Sequence, residues 1–258
     1  MTDVEIARLV RGYCIADDLS SHDPYDVWKT SLGIAVKDLF NRNRILGLPA
    51  AALITLLDNF FNGSFRRLYA KQEFPIVRAL AAQSLINVAI TTGDDRCRAG
   101  AKRHIEWLLS NRCSGYSGYG WGLGFIWPAG KGLIYDANTP FTTHTPYALE
   151  AIHRYIELTQ DRAYVPAIRG IYEFYEKDVK ALHETEEFMA VSYGPLADRV
   201  INNAVSYALY AYAIFSLYIE DDRERIYEKM RRLYAFLVRT QCEDGSWFYE
   251  PFAKNSFI

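Results

Sequence analysis

The sequence lacks the residues for disulfide or thiolate metal chemistry. Four cysteines, Cys14, Cys97, Cys113 and Cys242, are scattered over 258 residues without Cys-x-x-Cys spacing. No cofactor or metal is expected, and the isolated thiols fit a reduced, cytoplasmic setting. A surplus of one charge is lacking too. Twenty-nine Lys and Arg against 31 Asp and Glu leave a net charge of -2, with the signs interspersed, which disfavours nucleic acid as a partner. No uncharged apolar run approaches 18 residues, and the opening "MTDVEIARLVRGYC" is a charged amphipathic helix start. Neither a membrane span nor a signal core is expected.

Aromatics are abundant. They make up 15% of the chain, with 19 tyrosines and 5 tryptophans, which suits ring-stacking pockets as well as bulky cores. Apolar residues recur at helical spacing over roughly 3–16, 24–42, 48–61, 74–92, 95–111, 145–159, 162–181, 199–220 and 222–241, and β-branched alternation is scarce. The fold class predicted is all-α. The most apolar stretch, Ala204 to Ile219, reads as a buried helix.

An internal repeat organises these helices. "YALEAIHRYIELTQD" from Tyr147 aligns with "YALYAYAIFSLYIED" from Tyr207, a period of 60 residues, and "LAAQSLINVAITTGD" from Leu80 is a weaker copy. In each, a tight acidic turn leads from a strongly apolar helix into a more charged one. A helix apolar nearly all round needs cover on most sides, whereas an amphipathic partner can face water. Repeated pairs of this kind predict a solenoid or an α/α toroid, with 74–92, 145–159 and 199–220 as the inner ring. The turns inside each pair are short, but the connections 112–144, 182–198 and from 242 onward are long. They are expected to gather at one end, where sites usually lie. The sequence ends at "KNSFI", directly after the last of them. The expectation is one domain over 1–258, an incomplete (α/α)6-type barrel of helical hairpins lacking its last pair. Residues 1–44, or self-association, would close its open edge.

Gln241, Gly245 and Trp247 in "QCEDGSW" match the Q-x-x-x-G-x-W pattern of terpenoid-cyclase and prenyltransferase toroids. There the glutamine caps a helix and the tryptophan packs on a neighbouring repeat. Three segments together, "HDPYDVW", "GYGWGLGFIWP...NTPFTTHTPYALEAI" and "DGSWFYEPFAKNSFI", resemble a family of toroid proteins encoded among bacterial capsule and surface-polysaccharide genes. The resemblance covers about 20–258. It implies the α/α toroid fold and a place in polysaccharide biosynthesis. Such relatives continue past the "NSFI" position into a further helical pair.

The candidate site residues follow from these loops. His144, beside Pro146 at the start of an inner helix with Thr145 as its cap, is the candidate base, and Tyr193 in "VSYGP" the candidate acid. Together they suit removal of a uronate C5 proton, as in a lyase or epimerase, with Asn202 and Asn203 as amide donors to the substrate carboxylate. Trp121, Trp127 and Trp247 are candidates for stacking on sugar rings, beside packing roles. Asp136, Asn138, Tyr249 and Glu250 complete the candidate substrate-binding set, and Asp136 with Glu250 would serve a glycoside hydrolase instead. The ligand expected is a glycan or sugar precursor. A non-catalytic toroid that binds a glycan or a partner protein is the alternative from another class. An isoprenoid cyclase is a third, short of its acid motif: the acidic clusters "TTGDDRC" and "IEDDRE" fall in the tight turns and read as helix caps.

Overall fold

Helices account for most of the chain, as the 3.6-residue periodicity predicts. The computed structural model describes residues 2–23, 25–65, 69–130, 132–196 and 199–252. The terminal "KNSFI", read above as the end of a broken ring, lies outside them. Among the described residues there are ten α-helices and two small two-stranded antiparallel sheets. They fall into two compact units, one of Met1–Asp17, Pro75–Gly122 and Pro140–Ile258, the other of Asp18–Phe74 and Leu123–Thr139.

The first unit contains α1 (Asp3–Cys14), α5 (Pro75–Thr92), α6 (Asp95–Ser110), α7 (Thr145–Thr159), α8 (Val165–Lys177), α9 (Asn202–Phe215) and α10 (Arg223–Thr240), with a hairpin of β3 (Ala181–Leu182) and β4 (Ala190–Val191). Its packing follows the repeat. α5 packs on α7 and α7 on α9, while α6, α8 and α10 each pack on the helix that precedes them. α6 also reaches α7, and α8 reaches α9. The three apolar helices thus form one layer and their charged partners another. Burial agrees: α5 hides Ala79, Ala82, Leu85, Ile86 and Ala89, and α9 hides Ala204, Val205, Ala208, Ala211 and Phe215. α1 packs against α5. α10 leaves Tyr227, Tyr234 and Val238 exposed along one stripe.

The acidic turns hold these pairs in two ways. Asp94 caps α6 by accepting from the Arg96 amide, and Asp161 likewise accepts from Ala163 ahead of α8. In "IEDDRE", however, Asp222 stands at the N-cap position without a capping bond. Its carboxylate accepts from the Tyr172 hydroxyl at 2.9 Å, and Asp221 pairs with Arg169 at 2.7 Å. These two acids, read above as caps, instead tie α8 to the turn between α9 and α10. Beneath them Glu176, nearly buried, takes Lys229 at 2.6 Å and the Tyr212 hydroxyl at 2.6 Å and pairs with Arg225.

The second unit contains α2 (Asp26–Lys29), α3 (Ser31–Arg42), α4 (Arg44–Phe65), β1 (Trp127–Gly130) and β2 (Leu133–Tyr135). The single helix expected over 24–42 breaks at Thr30. That residue is extended (ψ 154°), and its hydroxyl accepts from the Gly33 amide and donates to the Val27 carbonyl, ending α2 and starting α3 in one step. "HDPYD" forms a closed ionic cluster at this start, with Asp26 buried between His22 at 3.2 Å and Lys29 at 3.0 Å, and Lys29 also on Asp23. α4 runs longer than expected, with Pro49 inside it. Among the described residues it is one helix long and apolar enough, over Arg44–Phe61, to cross a membrane. Counting only uncharged runs hid this, because Asp58 interrupts the segment.

Candidate functional site

The long loops meet at one end of the first unit, and backbone carbonyls join them. Residues at the starts of α7 and α9 act as clips. Thr142, before α7, donates its amide to the Tyr193 carbonyl at 3.1 Å and its hydroxyl to the same carbonyl at 2.9 Å. Asn202, one repeat later, donates its amide to the Tyr249 carbonyl at 3.1 Å and its side-chain Nδ2 to the Phe248 carbonyl at 2.8 Å. The Phe141 amide donates to the Trp121 carbonyl at 2.9 Å. The loops after 112 and after 182 thus share the end at which α7 and α9 begin.

The tryptophans of these loops serve the scaffold. Trp121 has no exposed surface, and its indole N–H donates to the Leu108 carbonyl at 2.8 Å. Trp247, half-buried, donates in the same way to Leu237 at 2.8 Å. Both acceptors lie in the last turn of a helix, α6 and α10, where carbonyls lack the i+4 amide partner. The sequence expectation of Trp121 as a sugar-stacking ring fails because both its faces are enclosed by core. The Q-x-x-x-G-x-W motif divides its labour differently from the pattern it resembles. Gln241 donates its Nε2 to the Gly245 carbonyl at 2.8 Å and so closes its own turn. Gly245 takes φ +85°, which favours glycine, and the tryptophan caps the helix.

The two candidate catalytic side chains, both part-buried, are brought together. His144 and Tyr193 both pack on the Phe141 ring, with centroids 5.4 Å and 5.1 Å away. Burial pushes the His144 imidazole down to about 4, so it is neutral at pH 7, and its Nδ1 lies 3.2 Å from the Thr143 hydroxyl. Thr145 is not the cap expected. It opens α7 behind His144 at the N-cap, and its hydroxyl accepts the Trp121 amide at 3.1 Å.

The amides and carboxylates are mostly engaged. Asn202 is buried, and its Oδ1 accepts from the Thr240 hydroxyl at 3.1 Å, so both ends of this amide are satisfied by protein and the expectation that it faces a ligand does not hold. Asn203 is exposed. Glu250 pairs with Arg199 at 3.0 Å, and Tyr249 gives its carbonyl to Asn202. Trp127, Asp136 and Asn138 belong to the second unit. There Trp127 meets Tyr25 edge-on at 5.3 Å, and Asp136 closes an Asx turn on the Asn138 amide at 2.9 Å.

The least buried stripe of α7, Tyr147, Glu150, His153, Arg154 and Glu157, recurs at three- and four-residue spacing and faces its counterpart on α9. Between them lies a cavity of about 380 Å³ lined by Pro146, Tyr147, Glu150, Ser206, Tyr207 and Tyr210. The Tyr147 and Tyr207 hydroxyls hydrogen-bond at 2.7 Å, with their rings tilted at 43°. The Tyr210 hydroxyl lies beside the Glu150 carboxylate. Burial, with the Tyr147 bond second, raises Tyr207 to about 12, and burial with the Glu150 charge does the same for Tyr210. Both hydroxyls therefore stay protonated and able to donate at neutral pH. No motif marks these residues. The signal was the repeat alignment itself, in which Tyr147 and Tyr207 are the paired first letters.

A larger hollow of about 540 Å³ lies between the loop after β3 and the terminal loop, with His183, Phe188, Arg239, Phe248 and Phe252 among its walls. Its charges are already placed, Arg239 over the Phe188 ring and Glu184 on Arg232 at 2.9 Å. Among the described residues no group of three or more His, Cys, Asp or Glu side chains is arranged to hold a metal ion. Comparison with known families finds no model that matches the chain, and no curated protein matches it either.

Proposed function

We propose that the protein is a glycan-binding α/α toroid arc of the surface-polysaccharide type, with its ligand on the open face of the inner helices at Tyr147, Glu150, Tyr207 and Tyr210. The observation that carries this reading is the hydrogen-bonded tyrosine pair with a carboxylate beside it in an open cavity. A pyranose has an apolar C–H face and a hydroxyl rim. Tyrosine rings suit the first, while the Tyr207 and Tyr210 hydroxyls, Ser206 and the Glu150 carboxylate suit the second. The layering of α5, α7 and α9 under α6, α8 and α10 supports a toroid arc, and the resemblance of the three loop segments supports the polysaccharide context. Isothermal titration with uronate-containing oligosaccharides tests the reading. Tyr207→Ser should weaken binding roughly tenfold or more, the loss of about 1.4 kcal/mol of stacking and hydrogen bonding. No binding by the unaltered protein, or equal binding by Tyr207→Ser, would remove it.

A second reading, uronate proton transfer, is favoured by one observation: His144 is neutral and shares the Phe141 ring with Tyr193. A neutral imidazole can accept a proton, although a group held near 4 is a weak base for a carbon acid. Exchange of the C5 proton with solvent deuterium, abolished by His144→Ala, would carry this reading. Binding without exchange leaves the binding function alone. The exposed α10 stripe supports self-association at the open edge, which light scattering tests.

A further inference from the structure

We propose that the groove between α3 and α4 binds a single-chain amphiphile with an anionic head, the alkyl chain lying along α4 and the head meeting the Lys37 amine. This does not rest on the glycan reading, since the groove lies wholly within the second unit. Its volume is about 580 Å³, within the range of small-molecule sites, and it is lined by Tyr25, Trp28 and Phe40 and by Leu48, Ala51, Ala52, Thr55 and Leu56 along α4. The apolar wall from Leu48 to Leu56 spans ~12 Å of helix axis at 1.5 Å per residue. That extent is elongated, as an alkyl chain is.

Charge complementarity selects the head. Two lysines flank this part of the unit, and they differ. Lys29 is neutralised by Asp23 and Asp26. Lys37 has no carboxylate partner in any ion pair among the described residues, and it lies over the Trp127 ring at the edge of the groove. Burial lowers its amine to about 8, so it remains cationic at pH 7 in a partly dry setting. An ammonium in that position gains more from an anion than one in water does, because desolvation strengthens the pairing. Asn41 has its amide committed to the Pro128 carbonyl at 3.1 Å, and Thr55 its hydroxyl to the Ala51 carbonyl at 2.8 Å. Lys37 is thus the group left to recognise a head, and the rest of the wall recognises a chain.

The test is isothermal titration of the full chain with decyl phosphate below its micelle concentration, with decanol and inorganic phosphate as comparison ligands. Decyl phosphate should bind roughly tenfold or more tighter than decanol, and inorganic phosphate should not bind. Lys37→Met should remove the preference for the phosphate, Lys37→Arg should keep it, and Ala51→Phe should block both ligands by filling the groove. If Ala51→Phe fails to fold, the Met and Arg pair decides. Equal affinity for decyl phosphate and decanol, or a preference unchanged in Lys37→Met, would overturn the proposal. So would binding to phosphatidylglycerol vesicles without binding of free decyl phosphate, which would make α4 a membrane-contacting helix. Self-association that Ala51→Phe abolishes, without amphiphile binding, would assign the groove to a second copy of the chain.

Discussion

Replacing Asn202 by alanine separates a structural clip from a ligand contact. The side chain is buried and makes two bonds, Nδ2 to the Phe248 carbonyl at 2.8 Å and Oδ1 from the Thr240 hydroxyl at 3.1 Å. Thr240 keeps alternative acceptors in the Phe236 and Leu237 carbonyls, at 3.0 Å and 3.3 Å. Phe248 has no comparable fallback in the clip. The loss is then one net hydrogen bond, about 1 kcal/mol, plus the desolvation of a half-buried carbonyl at the low end of ~1–3 kcal/mol, or about 2 kcal/mol in all. For a chain of this size that lowers Tm by about 4–8 °C. Asn203→Ala, at an exposed neighbouring position, should change stability by less than about 0.5 kcal/mol. Scanning calorimetry gives the difference between the two variants, and hydrogen exchange should show faster exchange of the Asn202-position amide, which donates to Tyr249. Equal costs for the two, or an Asn202→Ala protein as stable as the parent, would refute the clip.

The tryptophan caps predict that Trp121→Phe and Trp247→Phe each lower stability. Trp121→Phe should cost more, about 2 kcal/mol against about 1 kcal/mol, because the Trp121 indole is wholly buried and a smaller ring leaves a void there, while the Leu108 carbonyl keeps the Asn111 amide at 3.2 Å; denaturant unfolding measures both. Glu176→Gln should destabilise by about 2 kcal/mol, below the ~3–5 kcal/mol of a fully buried pair because Arg225 is largely exposed; a neutral result in thermal unfolding would contradict the network. His144, with its pKa lowered from 6.5 to about 4, favours the folded state while neutral. Its contribution is complete above pH 6.5 and is lost as pH falls toward 4, where the unfolded chain takes the proton first. Imidazole NMR signals should therefore show no His144 titration between pH 7 and 5.

The helices and their pairing were legible in the sequence because helical periodicity and the Tyr147/Tyr207 repeat are local signals that tertiary packing here reinforces. The break at Thr30 was not, since it depends on one hydroxyl bonding in two directions rather than on any loss of apolar spacing. The small sheets escaped for a similar reason: β3 and β4 are two residues each. The site was legible in location more than in identity. Long loops do gather at one end, but Trp121, Asn202 and Glu250 satisfy other protein groups there, and sequence does not reveal whether a polar side chain is already spoken for. The tyrosines of the cavity between α7 and α9 stayed hidden because tyrosine at helical spacing reads as core until its exposure is known.

The most direct test of the glycan-binding face is fluorine NMR of protein carrying 3-fluorotyrosine, with Tyr147, Tyr207 and Tyr210 assigned by single phenylalanine variants. On titration with a uronate oligosaccharide, those three resonances should shift together and saturably, while fluorotyrosine at the buried Tyr175 stays fixed. Binding detected by calorimetry with no movement of the three signals would place the ligand elsewhere and contradict the account.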